Sequence, residues 1–451
     1  MRAQPRTDRN SRIAALRAAL DHGTMRAVQR MVNAMHPAEV ASLLESLPLE
    51  NRELVWDFVS PDIEGEVLIE LNEEARASLI RSMDPEELVA ATEGLELDDL
   101  ADLLADLPET VTRRVLRSMD QQDRERLNMV RSFAEDSAGG LMNLDTVSVR
   151  PDVSLEVVLR YLRLRGDLPD KTDRLFVVDR HDRYLGTLAV TRLLTEDPER
   201  PVAEVLDSEV EGIDPMMPAK EVAKLFQDRD LVSAAVVSPE GRLLGRITID
   251  DVVDVIRGEA EHSVLSMAGL DEEEDLFATV TGSARRRAVW LGVNLLTCLL
   301  AAYVVGIFQG AIEKVVALAA LMPIVASMGG VAGTQTVTLM IRGLALGQVQ
   351  DSNARWLLLR EIAVGALNGL ALATVVALGT LLVFGTWIVA GIIFAALLIN
   401  LLAAAAVGVL VPIVLERLRI DPALASGVVL TTFTDVIGFA ALLGLGTLFL
   451  L

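Results

Sequence analysis

The sequence predicts a multi-domain membrane protein: an all-α superhelical N domain, an α/β pair of internal repeats, and an α-helical transmembrane domain with five spans. Three observations predict it. Charge is segregated, because only six acids and six bases follow Arg287, so the whole net charge of −23 lies before Ala288. Five apolar stretches in that last part approach or exceed the ~20 residues that cross a bilayer. Between the charged start and the apolar end, residues 137–200 and 201–257 repeat one order of strand, turn, strand and helix.

The N domain, placed at 1–136, reads as short amphipathic helices joined by tight turns. Apolar residues recur at helical spacing, as in Leu100, Leu103 and Leu104. SPDIEGEV (60–67) and MDPEELV (83–89) place proline and acids where helices begin, and no strand pattern interrupts them. The start, MRAQPRTDRNSR, is basic with no apolar run behind it, so no signal peptide is expected and the soluble part should be cytoplasmic. In the repeats, LFVVD (175–179) and SAAVV (233–237) are short β-branched strands, each followed by a turn, RHDRYLG or SPEGRLLG. TLAVTRLL (187–194) and RITIDDVVDVI (246–256) then supply a strand and a helix. The pair resembles tandem CBS domains, with the fuller motif, Gly245 to Asp251, in the second copy; Ala189 replaces its threonine in the first. Residues 258–287 are an acidic linker predicted to be helical, leading to a transmembrane domain at 288–451.

The spans are expected at about 288–310, 315–341, 362–384, 387–415 and 423–451. Arg285, Arg286 and Arg287 precede the first; Arg342, Arg355 and Arg360 lie between the second and third, and Arg417 and Arg419 between the fourth and fifth. Only Lys314 sits on the opposite side. The positive-inside rule gives a cytoplasmic N-terminus and an outward C-terminus in the cell (inner or plasma) membrane.

Within the fifth span Asp435 is the only charged side chain from Ala423 to Leu451. A carboxylate at the centre of a membrane helix costs roughly 2.5–3.5 kcal/mol on insertion scales, so it belongs on a bundle interior or a wet path. Gly427, Thr431 and Asp435 are spaced i, i+4, i+8, and Gly438 follows by three. The second span carries Pro323, Gly329, Gly330 and Gly333, then Thr334, Gln335, Thr336 and Thr338, and is expected to be interrupted there, with carbonyls freed to line a cavity. Asp435 is the candidate pore metal ligand; Gly329, Gly330, Gly333, Thr334, Gln335, Gly427, Thr431 and Gly438 are the candidate lining. A carboxylate, hydroxyls, an amide and carbonyls are hard oxygen donors, suited to Mg²⁺, Ca²⁺ or Mn²⁺ rather than zinc or copper. All four histidines precede the spans, and Cys298 is the only cysteine. The plainer alternative is that Asp435 hydrogen-bonds a neighbouring helix and the small residues only allow close packing.

Two acidic runs hold no Lys or Arg: ten carboxylates between Arg81 and Arg113, and seven between Arg257 and Arg285. Unit charges about 4 Å apart repel by about 4 kcal/mol at an effective dielectric near 20. A divalent cation between such faces would turn repulsion into adhesion; a solvated acidic surface is the alternative. The excess negative charge argues against nucleic acid or anionic lipid as a partner. Asp250 and Asp251 open a helix and suit capping. Thr248 and Asp251 also leave ATP or AMP binding open. There is no Walker motif or catalytic triad, so the chain is not expected to be an enzyme, and too few spans disfavour a CBS-bearing chloride channel.

This order of parts resembles the MgtE family of magnesium channels and transporters. The resemblance rests on Glu135–Met142, on Pro323 through Gly329, Gly330, Gly333 and Gln335 to Arg342, and on Asp421–Ser426 leading to Thr431–Val436. It implies a homodimer with one ion path on its axis, lined by the second and fifth spans, where Asp435 of each subunit holds a largely hydrated Mg²⁺. It also implies that Mg²⁺ bound between N domain, CBS pair and connecting helix holds the pore shut, with Glu66, Asp98, Asp102, Asp250, Asp271 and Glu274 on the sensor positions. Val331, Thr334, Gly427 and Ser238 depart from the family pattern, and Glu274 stands where an aspartate can occur. Transport of another divalent ion, Co²⁺ or Mn²⁺, and a non-conducting membrane sensor of metal or nucleotide are the alternatives.

Overall fold

The computed structural model describes residues 25–169, 171–270 and 276–450. It divides into two compact units, residues 1–260 with 273–278, and residues 261–272 with 279–451.

The first unit begins with short helices, among them Pro37–Glu45, Glu64–Glu70, Glu73–Ser82, Pro85–Ala91 and Leu97–Asp106. Their starts follow from the sequence. Asn72 caps by accepting from the Ala75 amide at 2.9 Å, and Pro85 takes the first helical position while Glu87 accepts from the Asp84 amide at 2.9 Å. Arg52 is fully buried and donates to the carbonyls of Leu44 (3.1 Å) and Leu47 (3.4 Å), closing the end of Pro37–Glu45.

The repeats follow. Strands β1 (Ser148–Val149) and β2 (Arg174–Val178) pair in parallel, and β2 pairs antiparallel with β3 (Tyr184–Ala189). Strands β4 (Ser233–Val237) and β5 (Leu243–Thr248) form the second antiparallel pair. The register slips at Val177/Val178 in one hairpin and at Val236/Val237 in the other, so the repetition extends to the same irregularity. The first repeat has its own core around Val147, Leu175, Val177 and Leu188. The second shares one core with the N-terminal helices, joining Leu79, Leu100, Leu103 and Leu104 to Phe226, Ile247 and Val252. That shared core brings Leu97–Asp106 toward the helix Ile249–Met267, which leaves β5 and runs unbroken past residue 258.

The second unit contains five helices long and apolar enough to cross a membrane: Val280–Ile307, Val316–Ala345, Asp351–Phe384, Trp387–Arg417 and Pro422–Leu450. The fourth is the most buried and packs against the second, third and fifth, while the first packs mainly on the fifth. The expected interruption of the second helix is absent: Val316–Ala345 is continuous α-helix through Pro323 and its glycines. The glycines serve approach instead. A Cβ on Gly329 would strike the Asn400 amide of the fourth helix, and one on Gly333 would meet Leu430 of the fifth at 2.5 Å.

Candidate functional site

The soluble candidate is a carboxylate cluster in the first unit. In Leu97–Asp106 the apolar residues Leu100, Leu103 and Leu104 turn into the core, which leaves Asp98, Asp99 and Asp102 on the flanking faces. Ile249–Met267 begins with Asp250 and Asp251. Asp251 reaches back to the helix start: its Oδ2 accepts from the Thr248 amide at 3.3 Å and from the Thr248 hydroxyl at 3.1 Å.

These carboxylates oppose one another's ionisation. Burial, then the Asp251 and Asp99 charges, pushes Asp98 up to about 8. Burial, then Asp250, raises Asp251 to about 7. Burial with Glu96, Asp102 and Asp250 raises Asp99 to about 6, and burial with Glu135 raises Asp102 to about 6. Asp98 is only 7 % exposed, and its Oδ1 is buried without a hydrogen-bond partner. An orphaned buried carboxylate oxygen is expensive and is the kind of group a bound cation relieves. Among the described residues no three Asp, Glu, His or Cys side chains converge as a ready-made ligand set. Mg²⁺ does not demand one, since it keeps several waters and binds through one or two carboxylates. The residues present therefore fit a hydrated hard cation.

Two cations of the chain already reach the cluster: Arg76, paired with Asp106 at 2.6 Å, acts on Asp102, and Lys171 acts on Asp250. Lys171, in the loop before β2, forms an ion pair with Asp250 Oδ2. Burial alone would push Asp250 up, but the hydrogen bonds from Lys171 and Thr248 hold it below the ordinary value. Glu70 and Asp254 form the flank; burial raises both, and Asp254 adds its charge to Glu70.

The predicted sensor residues thus divide. Asp98, Asp102 and Asp250 share the same charged neighbours, Asp99 and Asp251. Glu66 is exposed on Glu64–Glu70, with no bond to the cluster among the described residues. Asp271 and Glu274 lie outside the described residues. Asp99, Asp251 as a cluster member, Glu96 and Lys171 were not read from the sequence as sensor groups. The base-free run pointed to Asp99 and Glu96, but nothing in LPDKTD (168–173) pointed to Lys171.

The membrane candidate is the fifth helix. Asp435 is partly buried and, among the described residues, has no hydrogen-bond or ion-pair partner, so the expected alternative of a bond to a neighbouring helix is not found in this chain. Thr431 Oγ1 returns to the Gly427 carbonyl at 3.1 Å, and Gly427 has open space beside it, with Met267 O at 4.0 Å. On the second helix Thr334 and Gln335 are exposed, Thr334 Oγ1 donates to Gly330 O at 2.9 Å, and Gly330 faces open space. Gly329, Gly333 and Gly438 are instead packed between helices.

Two membrane residues were missed. Asn400 is fully buried in the fourth helix; its Nδ2 donates to the Val325 carbonyl at 2.8 Å, its Oδ1 is unpaired, and its amide fills the space left by Gly329 and Gly438. It is the only uncharged polar side chain between Trp387 and Arg417, the same signal that singled out Asp435. Glu361 was placed just outside the third span; it is 8 % exposed, paired with Arg360 at 2.6 Å and approached by Thr336 Oγ1 at 3.4 Å.

The sequence matches family models along most of its length. Residues 322–445 match MgtE, described as a divalent cation transporter, residues 35–136 the MgtE intracellular N domain, and residues 138–199 and 202–258 the CBS domain. The magnesium transporter MgtE of Thermus thermophilus is 31% identical over 441 residues, 97% of this chain and 98% of that protein. The protein of the same name from Bacillus subtilis is 25% identical over 431 residues, 96% of each. A solved cytosolic domain of the Mg2+ channel MgtE in complex with ATP is 33% identical and covers 54% of this chain and 99% of that one, with a TM-score of 0.49. With 31% identity to the Thermus thermophilus protein sustained along nearly the whole of both chains, on top of a helical N domain, a CBS pair and five apolar helices, the last of which carries Asp435, this chain belongs to the MgtE family.

Proposed function

We propose that this chain is a Mg²⁺ channel or channel-like transporter whose opening is governed by Mg²⁺ on the cytosolic side. The observation that carries the conducting role is Asp435: a carboxylate in the middle of an apolar helix with no partner among the described residues. Its place is one turn from Thr431, with Gly427 a further turn away, on a helix packed against the second. Oxygen donors of this kind hold a hard divalent ion through its waters. The exposed Thr334 and Gln335 are costly against lipid, which supports a homodimer in which they face a second copy or a wet axis. The arginines flanking the spans favour a cytosolic N-terminus.

The regulatory role rests on the carboxylate cluster of Asp98, Asp99, Asp102, Asp250 and Asp251. Mg²⁺ bound there supplies the charge that turns their repulsion into adhesion. Without it the Leu97–Asp106 helix and the start of Ile249–Met267 repel, and the path is released. Such a switch requires the ion to bind the closed state more tightly than the open one. Thr248 and Asp251 are engaged in a helix cap, so an ATP role for them is left to nucleotide titration of the purified chain.

The test is Mg²⁺ flux into proteoliposomes. Asp435→Asn and Asp435→Ala should abolish most uptake while the protein still inserts. Unchanged uptake in Asp435→Asn would remove the conducting role and leave a membrane-anchored sensor. Competition by Co²⁺ and Mn²⁺ in the same vesicles fixes which divalent ion the path prefers.

A further inference from the structure

The carboxylate cluster holds a cation of its own. Lys171 Nζ is ion-paired with Asp250 Oδ2, and the other oxygen of Asp250 accepts from the Thr248 hydroxyl. The lysine is held in place by its loop rather than by chance contact. Its backbone is left-handed, with φ of 56°. Asp173, two residues on, accepts from the Val190 amide at 2.9 Å through its carbonyl and from the Ser233 hydroxyl of β4 through its carboxylate. The loop of the first repeat is thereby tied to the second, and it delivers one ammonium to the helix start that carries Asp250 and Asp251.

We propose that Lys171 is a tethered competitor: it occupies the Asp250 carboxylate when no divalent ion is bound, and Mg²⁺ must displace it to use that carboxylate. The inference rests on the Mg²⁺-sensing reading of the cluster, and it concerns the concentration at which that sensor responds. The orphaned Oδ1 of Asp98, on a side chain 7 % exposed, marks where cation charge is still missing. Lys171 does not satisfy it. A lysine suits a displaceable role, because its ammonium is a point charge on a flexible stem, without the two-pronged grip of an arginine. Both partners stay reachable by water, at 47 % and 40 % exposure, so a hydrated ion has a route in and the lysine a route out. The pair therefore sets a threshold. It stabilises the metal-free cluster in part and raises the Mg²⁺ concentration needed to close it.

The experiment measures protection of the full-length chain in detergent micelles against chymotrypsin, which does not cut at lysine, across micromolar to tens of millimolar Mg²⁺. Lys171→Gln should move the midpoint of protection to lower Mg²⁺ by about fivefold, the upper end for a partly exposed ion pair. Lys171→Arg should leave it at or above the wild-type value. Lys220→Gln is the charge control: Lys220 pairs with Glu259 at 2.7 Å and is absent from the charges acting on Asp98, Asp99 and Asp251. An unmoved or higher midpoint in Lys171→Gln, or an equal shift in Lys220→Gln, overturns the competitor. Should Lys171→Gln fold poorly, Lys171→Ala gives the same comparison, with folding checked by the melting temperature in EDTA. If wild-type protection ignores Mg²⁺, the sensor reading itself falls, and the competitor with it.

Discussion

At the scale of single residues, two polar groups of the membrane half differ in what holds them, Asp435 being half-buried and Asn400 fully buried. Asp435 is available to an ion because nothing described in its own chain holds it. Its replacement by Asn keeps size and loses charge, so uptake in proteoliposomes should fall at least about tenfold, as for loss of a hydrogen bond to a charged group worth about 1.5–3 kcal/mol. Asn400 is different: it ties the fourth helix to the Val325 carbonyl of the second and fills the gap opposite Gly329 and Gly438. Gly329→Ala should therefore destabilise the folded bundle by about 1–3 kcal/mol through overpacking. Asn400→Ala makes room for the added methyl, so the double variant should lose less than the sum of the two single losses. Thermal unfolding in micelles gives all three values, and strict additivity would show that the two residues do not meet.

At the scale of elements, the helix Leu97–Asp106 carries acids that the fold makes hard to ionise. Asp98 stands at about 8, Asp251 across from it at about 7, and Asp99 and Asp102 at about 6, all above the ordinary aspartate value of about 3.9. A carboxyl whose pKa is raised on folding favours the folded state at pH below its unfolded value and loses that contribution as pH rises to the folded one. In EDTA, then, the melting temperature of the cytosolic transition should fall as pH goes from 5 to 8. Saturating Mg²⁺ should flatten the fall, because metal binding takes the deprotonated carboxylates and releases protons. A melting temperature that rises across this window without divalent ions would refute the coupling. The apolar spacing of this helix and its missing bases were legible in the sequence. Its partners were not: the Asp251 charge acts on Asp98 because one core joins the N-terminal helices to the second repeat, and Lys171 reaches Asp250 because Asp173 ties the loop of the first repeat to Ser233 of the second. No local pattern encodes a pairing across such a separation. The second membrane helix shows the opposite error. Proline and glycines read as a break, yet the helix is continuous, and the neighbouring fourth helix uses the glycines for close contact.

At the scale of the whole molecule, the sequence order already separates a charged part from an apolar one. All the net charge lies before Ala288, and the apolar helices carry Asp435 with little else that is charged at depth. The spans and the strand repeat were legible because hydropathy and β-branching are local and periodic. The link between the two halves was less so. Ile249–Met267 leaves the last strand of the CBS pair as one helix, and its far end, from Glu261, is grouped with the membrane unit. There His262 Nε2 lies 2.9 Å from Asp421 Oδ2, while Asp421 Oδ1 accepts from the Ala423 amide at 2.8 Å at the start of the fifth helix. Within the membrane unit, His262 thus ties that far end to the entrance of the helix that carries Asp435. If Mg²⁺ at the first end of Ile249–Met267 steadies that helix, protease protection of residues 258–287 should rise with Mg²⁺ over the millimolar range. Asp98→Asn, which removes one carboxylate of the cluster, should shift that rise to higher Mg²⁺ by roughly tenfold, the loss of one charged contact to the ion. His262→Ala keeps the cluster, so protection near Asp250 should be retained while flux loses its dependence on cytosolic Mg²⁺. Flux in His262→Ala that is still suppressed by Mg²⁺ would place the coupling elsewhere than this contact.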